Sequence, residues 1–157
     1  MLTKYIFRKD IVKALWWFLG SIGFIWLLSQ EIEFLISETD SLPQHYFIHF
    51  RRITPKINNY TIVWSDWYQN KIIKKIIGLS GDKIWLNNNE ILVNDFKVGA
   101  CKTIATDKRV LHPIKAQIIP KGMVFLYGNH ERSFDSRYQE LGLVPINQLG
   151  GLVVPLI

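Results

Sequence analysis

The chain has 157 residues, of which 48% are hydrophobic and 20% charged, a balance that excludes disorder and fibrous repetition and leaves room for one ordinary domain plus a short appendage. Its formal charge of +6 does not describe a nucleic-acid surface, because Lys4, Arg8, Lys9 and Lys13 against Asp10 supply half of that excess. The signs are interspersed beyond Lys13, leaving no basic stripe to follow a phosphate backbone, so no nucleic-acid partner is expected. A single cysteine, Cys101, excludes an intrachain disulfide framework and reads as a buried structural thiol. His45, His49, His112 and His130 lack metal-ligand spacing, so neither a metal nor any other cofactor is expected.

Residues 1–30 form a basic arm followed by an apolar segment. From Ala14 to Gln30 the chain is uncharged and mostly large and apolar, and Ile11 and Val12 extend it. At about 1.5 Å per residue the uncharged run covers roughly 25 Å, close to a bilayer core of about 30 Å once Lys13 snorkels. A cleavable leader would need a small-x-small site, whereas the exit reads Glu31-Ile-Glu-Phe-Leu-Ile36. The spacing predicts one membrane-spanning helix. The excess of cations before it puts the N-terminus in the cytoplasm and residues 31–157 outside the cytoplasmic membrane, in the periplasm of a cell that has one.

Residues 31–157 change to short runs rich in Ile, Val, Phe, Tyr and Trp. They predict strands over Ile32–Ile36, Tyr46–Phe50, Asn59–Trp64, Lys71–Ile77, Lys83–Leu86, Ile91–Val93, Met123–Tyr127 and Leu152–Leu156, separated by turn-forming residues. Asn87-Asn-Asn89 joins two of them as a hairpin with a loop of three or four residues. The expected fold is mainly β, a strongly bent sheet or partial barrel after one transmembrane helix.

Three polar stretches interrupt this pattern: Ser37–Tyr46, Lys74–Asp82 and Ser133–Tyr138. Singly, each has a plain explanation: a turn at Ser41-Leu-Pro43, a charged strand edge at Lys71, Lys74 and Lys75, and a surface ion pair between Asp135 and Arg137. Together they suggest nucleophilic catalysis, since a serine hydroxyl needs a base and an uncharged lysine can be one. Moving a lysine from about 10.4 to around 8 takes roughly 3–4 kcal/mol in favour of the neutral form, which burial can supply. Strand parity selects the lysine: Lys71, Ile73 and Lys75 share one face, Ile72, Lys74 and Ile76 the other. Lys74 therefore lies on the apolar face.

These stretches, in this order after an N-terminal anchor, resemble the type I signal peptidase family, and more closely its TraF-like branch from conjugative transfer systems. Thr39-Asp-Ser-Leu-Pro43 is similar to the family's nucleophile box and Lys74-Lys-Ile-Ile-Gly-Leu-Ser-Gly-Asp82 to its general-base box. Ser133-Phe-Asp-Ser-Arg-Tyr138 is similar to its last box. The resemblance implies Ser41 as nucleophile, Lys74 as general base, and Thr39 with the Ser41 backbone N–H as oxyanion donors. It implies that Ser133 aims the lysine and that Asp135 and Arg137 brace the site. It departs from the family at Ser80, where proline is favoured, at Lys75, where arginine is, and at His45, where the TraF-like branch often has glycine. The Gly128-Asn129 turn also lacks the fuller Gly-Asp-Asn-Arg signature.

The implied activity is cleavage of signal or leader peptides from secreted precursors. The precursor binds as an extended peptide beside Leu35–Ser37 or Ile72–Lys74, with Leu42, Ile72 and Ile73 as pocket walls. The TraF-like resemblance implies a pilin precursor and allows the acyl-enzyme to be captured by the pilin's own amine. Two alternatives stand at this point: a non-catalytic membrane-anchored scaffold of a secretion or conjugation complex, and a self-cleaving repressor-type protease, which would carry a DNA-binding module where this chain has an apolar helix.

Overall fold

The computed structural model describes residues 2–37 and 41–156. Its contacts divide the chain into two units, Met1–Glu33 and Phe34–Ile157. The first is dominated by helix α1, Leu2–Glu31. Within it, Lys9–Glu31 runs 23 residues at mean hydropathy 1.8, long and apolar enough to cross a membrane. Its described apolar side chains point outward on every side, Trp17 being 82% exposed. Such a surface suits lipid, since a helix at a water boundary would carry a polar face. Ser21 and Ser29 satisfy their hydroxyls on carbonyls three or four residues back, which hides polar atoms from hydrocarbon.

Beyond the helix the chain is built of antiparallel strands: β1 (Ile32–Ile36), β2 (Tyr46–Phe50), β3 (Tyr60–Ser65), β4 (Asn70–Gly78), β5 (Lys83–Asn87), β6 (Glu90–Val93), β7 (Phe96–Ala100), β8 (Gln117–Ile118), β9 (Met123–Tyr127), β10 (Val144–Pro145) and β11 (Leu152–Leu156). Seven form one sheet in the order β1-β2-β11-β3-β4-β9-β10, and four form a second in the order β7-β6-β5-β8. The mainly β expectation holds, and each strand read from the sequence is present to within a residue or two at its ends.

The strands missed are short or carry poor strand formers. β8 and β10 have two residues each, and β7 contains Gly99 in a left-handed conformation where the register with β6 shifts. The β5–β6 loop is also tighter than expected. Asn87 pairs with Glu90, so only Asn88 and Asn89 remain in the turn, both at positive φ. Two asparagines in that conformation match the right-handed twist of the strands, which a longer loop would not need.

The largest core cluster joins the two sheets, with Ile84, Ile91 and Val93 of the smaller sheet meeting Phe125 of the larger, and Phe134 and Tyr138 beyond. Gly78, at a register shift between β4 and β9, is held small by this packing. A Cβ there would lie 2.7 Å from Ile119 Cδ1 and 3.0 Å from both Phe125 Cβ and Val93 Cγ1. A separate cluster of Leu42, Phe47, Ile62 and Val153 binds the segment after Ser41 to β2, β3 and β11.

Phe125 is fully buried. Truncation of Phe125 to alanine is therefore expected to cost about 3–5 kcal/mol, while Ile53→Ala, at an exposed position, should stay within about 0.5 kcal/mol of wild type. Urea unfolding of the full chain, followed by tryptophan fluorescence, measures both.

Candidate active site

Strand β4 is paired unequally along its two edges. On one side β3 accompanies it from Asn70, opposite Ser65, to Lys75, opposite Tyr60. On the other, β9 meets only Lys75, Ile76 and Gly78. Among the described residues, the stretch from Asn70 to Lys74 has no strand on that second edge, and it lines a cleft of about 980 Å³. Apart from the Lys71 N–H, which donates to Asn70 Oδ1 at 2.7 Å, the backbone groups on that edge can accept another extended chain.

Lys74 stands where that open edge ends. Its side chain is only 3% exposed, and alternation along β4 sets it on the same side as buried Ile76, with Lys71 on the exposed side. Nζ donates to Ser133 Oγ at 2.7 Å. Burial moves the amine from its ordinary value of 10.5 down to about 8, with Asp135 opposing that shift and Arg137 adding to it. The isoleucines account for part of this setting. The polar wall that completes it, Ser133, Asp135 and Arg137, arrives from a distant part of the chain.

That wall is itself a buried network. Asp135 is 0% exposed and Arg137 1%, so they are not a surface ion pair. Asp135 accepts from Arg137 Nε and Nη2, both at 2.9 Å, and its Oδ2 also accepts the Gly128 N–H at 2.9 Å. Nη2 also reaches the carbonyls of His130 and Ser133, at 3.2 and 3.3 Å. Such a pair costs desolvation on both sides, which its several hydrogen bonds offset. Its geometry fixes the loop that carries Ser133.

Gly128 closes the arrangement from below. A Cβ at this position would overlap Ser133 Oγ and lie 2.9 Å from Lys74 Nζ. The glycine is needed for close approach, not for its backbone angles. The sequence shows it only as a glycine after an apolar strand, and that position is the available hint.

Ser41 lines the same cleft as Lys74 and Ser133. Its backbone carbonyl accepts the His130 N–H at 3.4 Å, tying its loop to the loop that leads to Ser133. The neck of the Ser41 loop is closed by Ser37 N–H donating to the His45 carbonyl at 2.7 Å and by His45 Nδ1 lying 3.2 Å from the Ser37 carbonyl. The ring contact is one that a glycine could not make. Likewise Ser80 accepts the Gly122 N–H at 2.9 Å, a bond no proline could make. Thr39, expected beside Ser41, lies outside the described residues.

Ile72 and Ile73 line the cleft as expected, but Leu35 and Leu42 do not belong to its lining. Leu42 is buried among Phe47, Ile62 and Val153, and Leu35 packs against the same cluster. Alternation along β1 turns Leu35 inward and leaves Ile36 to face the cleft. The other lining residues that sequence reading missed, among them Tyr68, His130 and Phe134, come from turns whose positions only the folded chain defines.

Two substitutions probe this packing. Gly128→Ala is expected to lose about 1–3 kcal/mol by overpacking, and Ser133→Gly in the same chain should recover most of it, because the two nearest atoms met by the new methyl, both of the Ser133 side chain, are then gone and leave only the flexible end of Lys74. Arg137→Met should cost about 3–5 kcal/mol, since Asp135 is left buried without its partner. Chemical denaturation of the variants and the double variant reads each value.

Among solved structures, a signal peptidase I from Enterococcus faecalis V583 matches at 23% identity with a TM-score of 0.41, covering 62% of this chain and 95% of that one. None of the curated proteins is significantly similar to the chain. Residues 8–157 match the family described as "Signal peptidase, peptidase S26". This match takes in the three polar stretches and nearly all of the chain, which belongs to the peptidase S26 signal peptidase family.

Proposed function

We propose that the protein is a membrane-anchored serine endopeptidase with a Ser41–Lys74 dyad, cutting leader peptides from secreted precursors outside the cytoplasmic membrane. Membership of the signal peptidase family supports the activity class. The observation that carries the dyad is a buried lysine, lowered to about 8 and aimed by Ser133, in a cleft that Ser41 also lines.

In this reading the precursor lies extended along the open edge of β4 from Asn70 to Lys74. Ser41 Oγ attacks the scissile carbonyl carbon while Lys74 Nζ takes the hydroxyl proton. The oxyanion accepts hydrogen bonds from the Ser41 N–H and the Thr39 hydroxyl; such a donor contributes about 3–4 kcal/mol where one has been removed in other enzymes. The C–N bond then breaks, the leaving amine receives the proton from Lys74, and an ester remains on Ser41. Water activated by the same lysine releases the acyl group. Ser133 holds the amine's direction, and the Asp135–Arg137 pair holds Ser133.

A neutral lysine works here because its proton affinity sits near the operating pH. Helix α1 is the anchor, with its basic N-terminal side in the cytoplasm. The resemblance of the polar stretches to the TraF-like branch makes a conjugative pilin the precursor of choice. Capture of the ester by the pilin's own amine would then give a ring one water lighter than the linear product.

Ser41→Ala and Lys74→Ala should each abolish precursor processing in a gel assay while leaving the chain folded. Processing at the wild-type rate by both variants would sink the dyad. For the wild type, kcat/KM should be low below pH 7 and rise to a plateau through an apparent pKa of about 8, because only the deprotonated amine can act as base. A profile flat from pH 6 to 10 is incompatible with this role. Mass spectrometry of the mature product distinguishes the linear from the cyclic outcome.

A further inference from the structure

A second hollow, of about 250 Å³, opens beside the catalytic cleft and shares Tyr68, Arg132 and Phe134 with it. Its floor is buried and apolar, made by Leu111, Phe134 and Tyr138. Its sides carry Ile104 and Tyr68, exposed by 59% and 51%, so large apolar surface meets water at the rim of a concave site. That is an unfavourable arrangement unless something covers it.

The wall bearing Ile104 is fixed on several sides. The Lys102 N–H donates to the Tyr138 hydroxyl at 3.2 Å, and the Lys102 amine pairs with Glu131 at 3.2 Å. The loop closes on itself through the Ile104–Val110 bridge and through Leu111 N–H to the Thr103 carbonyl. Arg109 then clamps it to the turn after β3. Its guanidinium donates to the Trp67 carbonyl at 3.0 Å and lies 3.7 Å from the Trp67 ring centre, and Trp67 stacks on Phe134 at 5.0 Å. Phe134 is the residue between Ser133 and the Asp135 network. The wall of the hollow and the positioning of the candidate lysine therefore share one aromatic stack.

From this geometry we infer that the hollow is a specificity subsite for one large aliphatic or aromatic side chain of the precursor. The inference rests on the proposed peptidase function. Size favours a single side chain, because pockets for free small ligands run from about 300 to 1,000 Å³. Continuity with the cleft favours a side chain of the same peptide that lies there. Charge does not select an acidic residue, since Lys102 and Arg132 at the rim both approach Glu131, at 3.2 Å and 3.7 Å.

The test uses the full chain and a synthetic peptide spanning a cleavable precursor junction, with each position in turn made Leu, Phe or Ser. At one position the wild type should favour Leu or Phe over Ser by about tenfold or more in kcat/KM, the discrimination an apolar pocket gives. Ile104→Asp puts a charge in the hollow, and Thr106→Trp narrows it. Both should bring that ratio to within about twofold of one. Val110→Asp, on the same loop but not lining the hollow, should leave the ratio as in wild type, which separates the pocket from general damage to the loop. Cleavage with no such preference at any position overturns the subsite while leaving the peptidase standing, as does a preference that survives both hollow variants. Absence of any Ser41-dependent cleavage overturns the peptidase and the subsite together.

Discussion

The burial of one amine, that of Lys74, is the constraint on which the site depends. An ammonium ion taken out of water is expensive, and a protein answers that cost by pairing the charge or by releasing its proton. Here, among the described residues, the side-chain partner of the amine is a serine hydroxyl, at 2.7 Å, with the nearby carboxylate of Asp135 already engaged by Arg137. Charge is therefore weakly compensated and the neutral form lies closer in energy than in an exposed lysine, in keeping with a value near 8. Were Asp135 free of Arg137, its field would hold the lysine protonated. The buried ion pair thus sets the carboxylate's field against a cation as well as bracing the loop.

This environment requires β4 to meet a distant stretch of chain at 128–137. β4 brings Lys74, the turn after β9 brings Gly128, and the segment from Ser133 to Arg137 folds back over that turn. Gly128 links them sterically, because its missing Cβ is the space that Ser133 and the lysine end occupy. The unequal pairing of β4 belongs to the same design. β9 departs after Lys75, and the departure both opens an edge for an extended peptide and frees the chain to return with Ser133.

Stability and chemistry pull against each other in such a site. A hydrophobic residue in place of the lysine would avoid the desolvation cost, and replacing a buried ion pair with well-packed apolar groups is often stabilising. A lysine, an aspartate and an arginine buried together beside a cleft are an arrangement that suits a reactive site. Family membership over residues 8–157 points the same way. The large apolar cores on either side of the site, between the sheets and beneath the Ser41 loop, supply the rigidity that lets the polar cluster stay dry.

Local pattern in the sequence already determined much. The apolar run after Lys13 specified a helix able to span a membrane, because length and lack of charge are sufficient for that reading. Alternation along Lys71–Ile77 singled out Lys74 as the inward lysine, since a strand has only two faces. The order of the three polar stretches pointed to the family. What tertiary structure alone decided was the company these residues keep. Asp135 and Arg137 are compatible with a surface pair until the fold buries them, and Leu35 is displaced from the cleft by the pleat that turns Ile36 outward. Gly128 looks like any turn glycine until Ser133 and Lys74 are packed over it. The physical reason is range: burial, electrostatic coupling and steric exclusion depend on atoms brought together from dozens of residues apart, and no local pattern encodes that meeting.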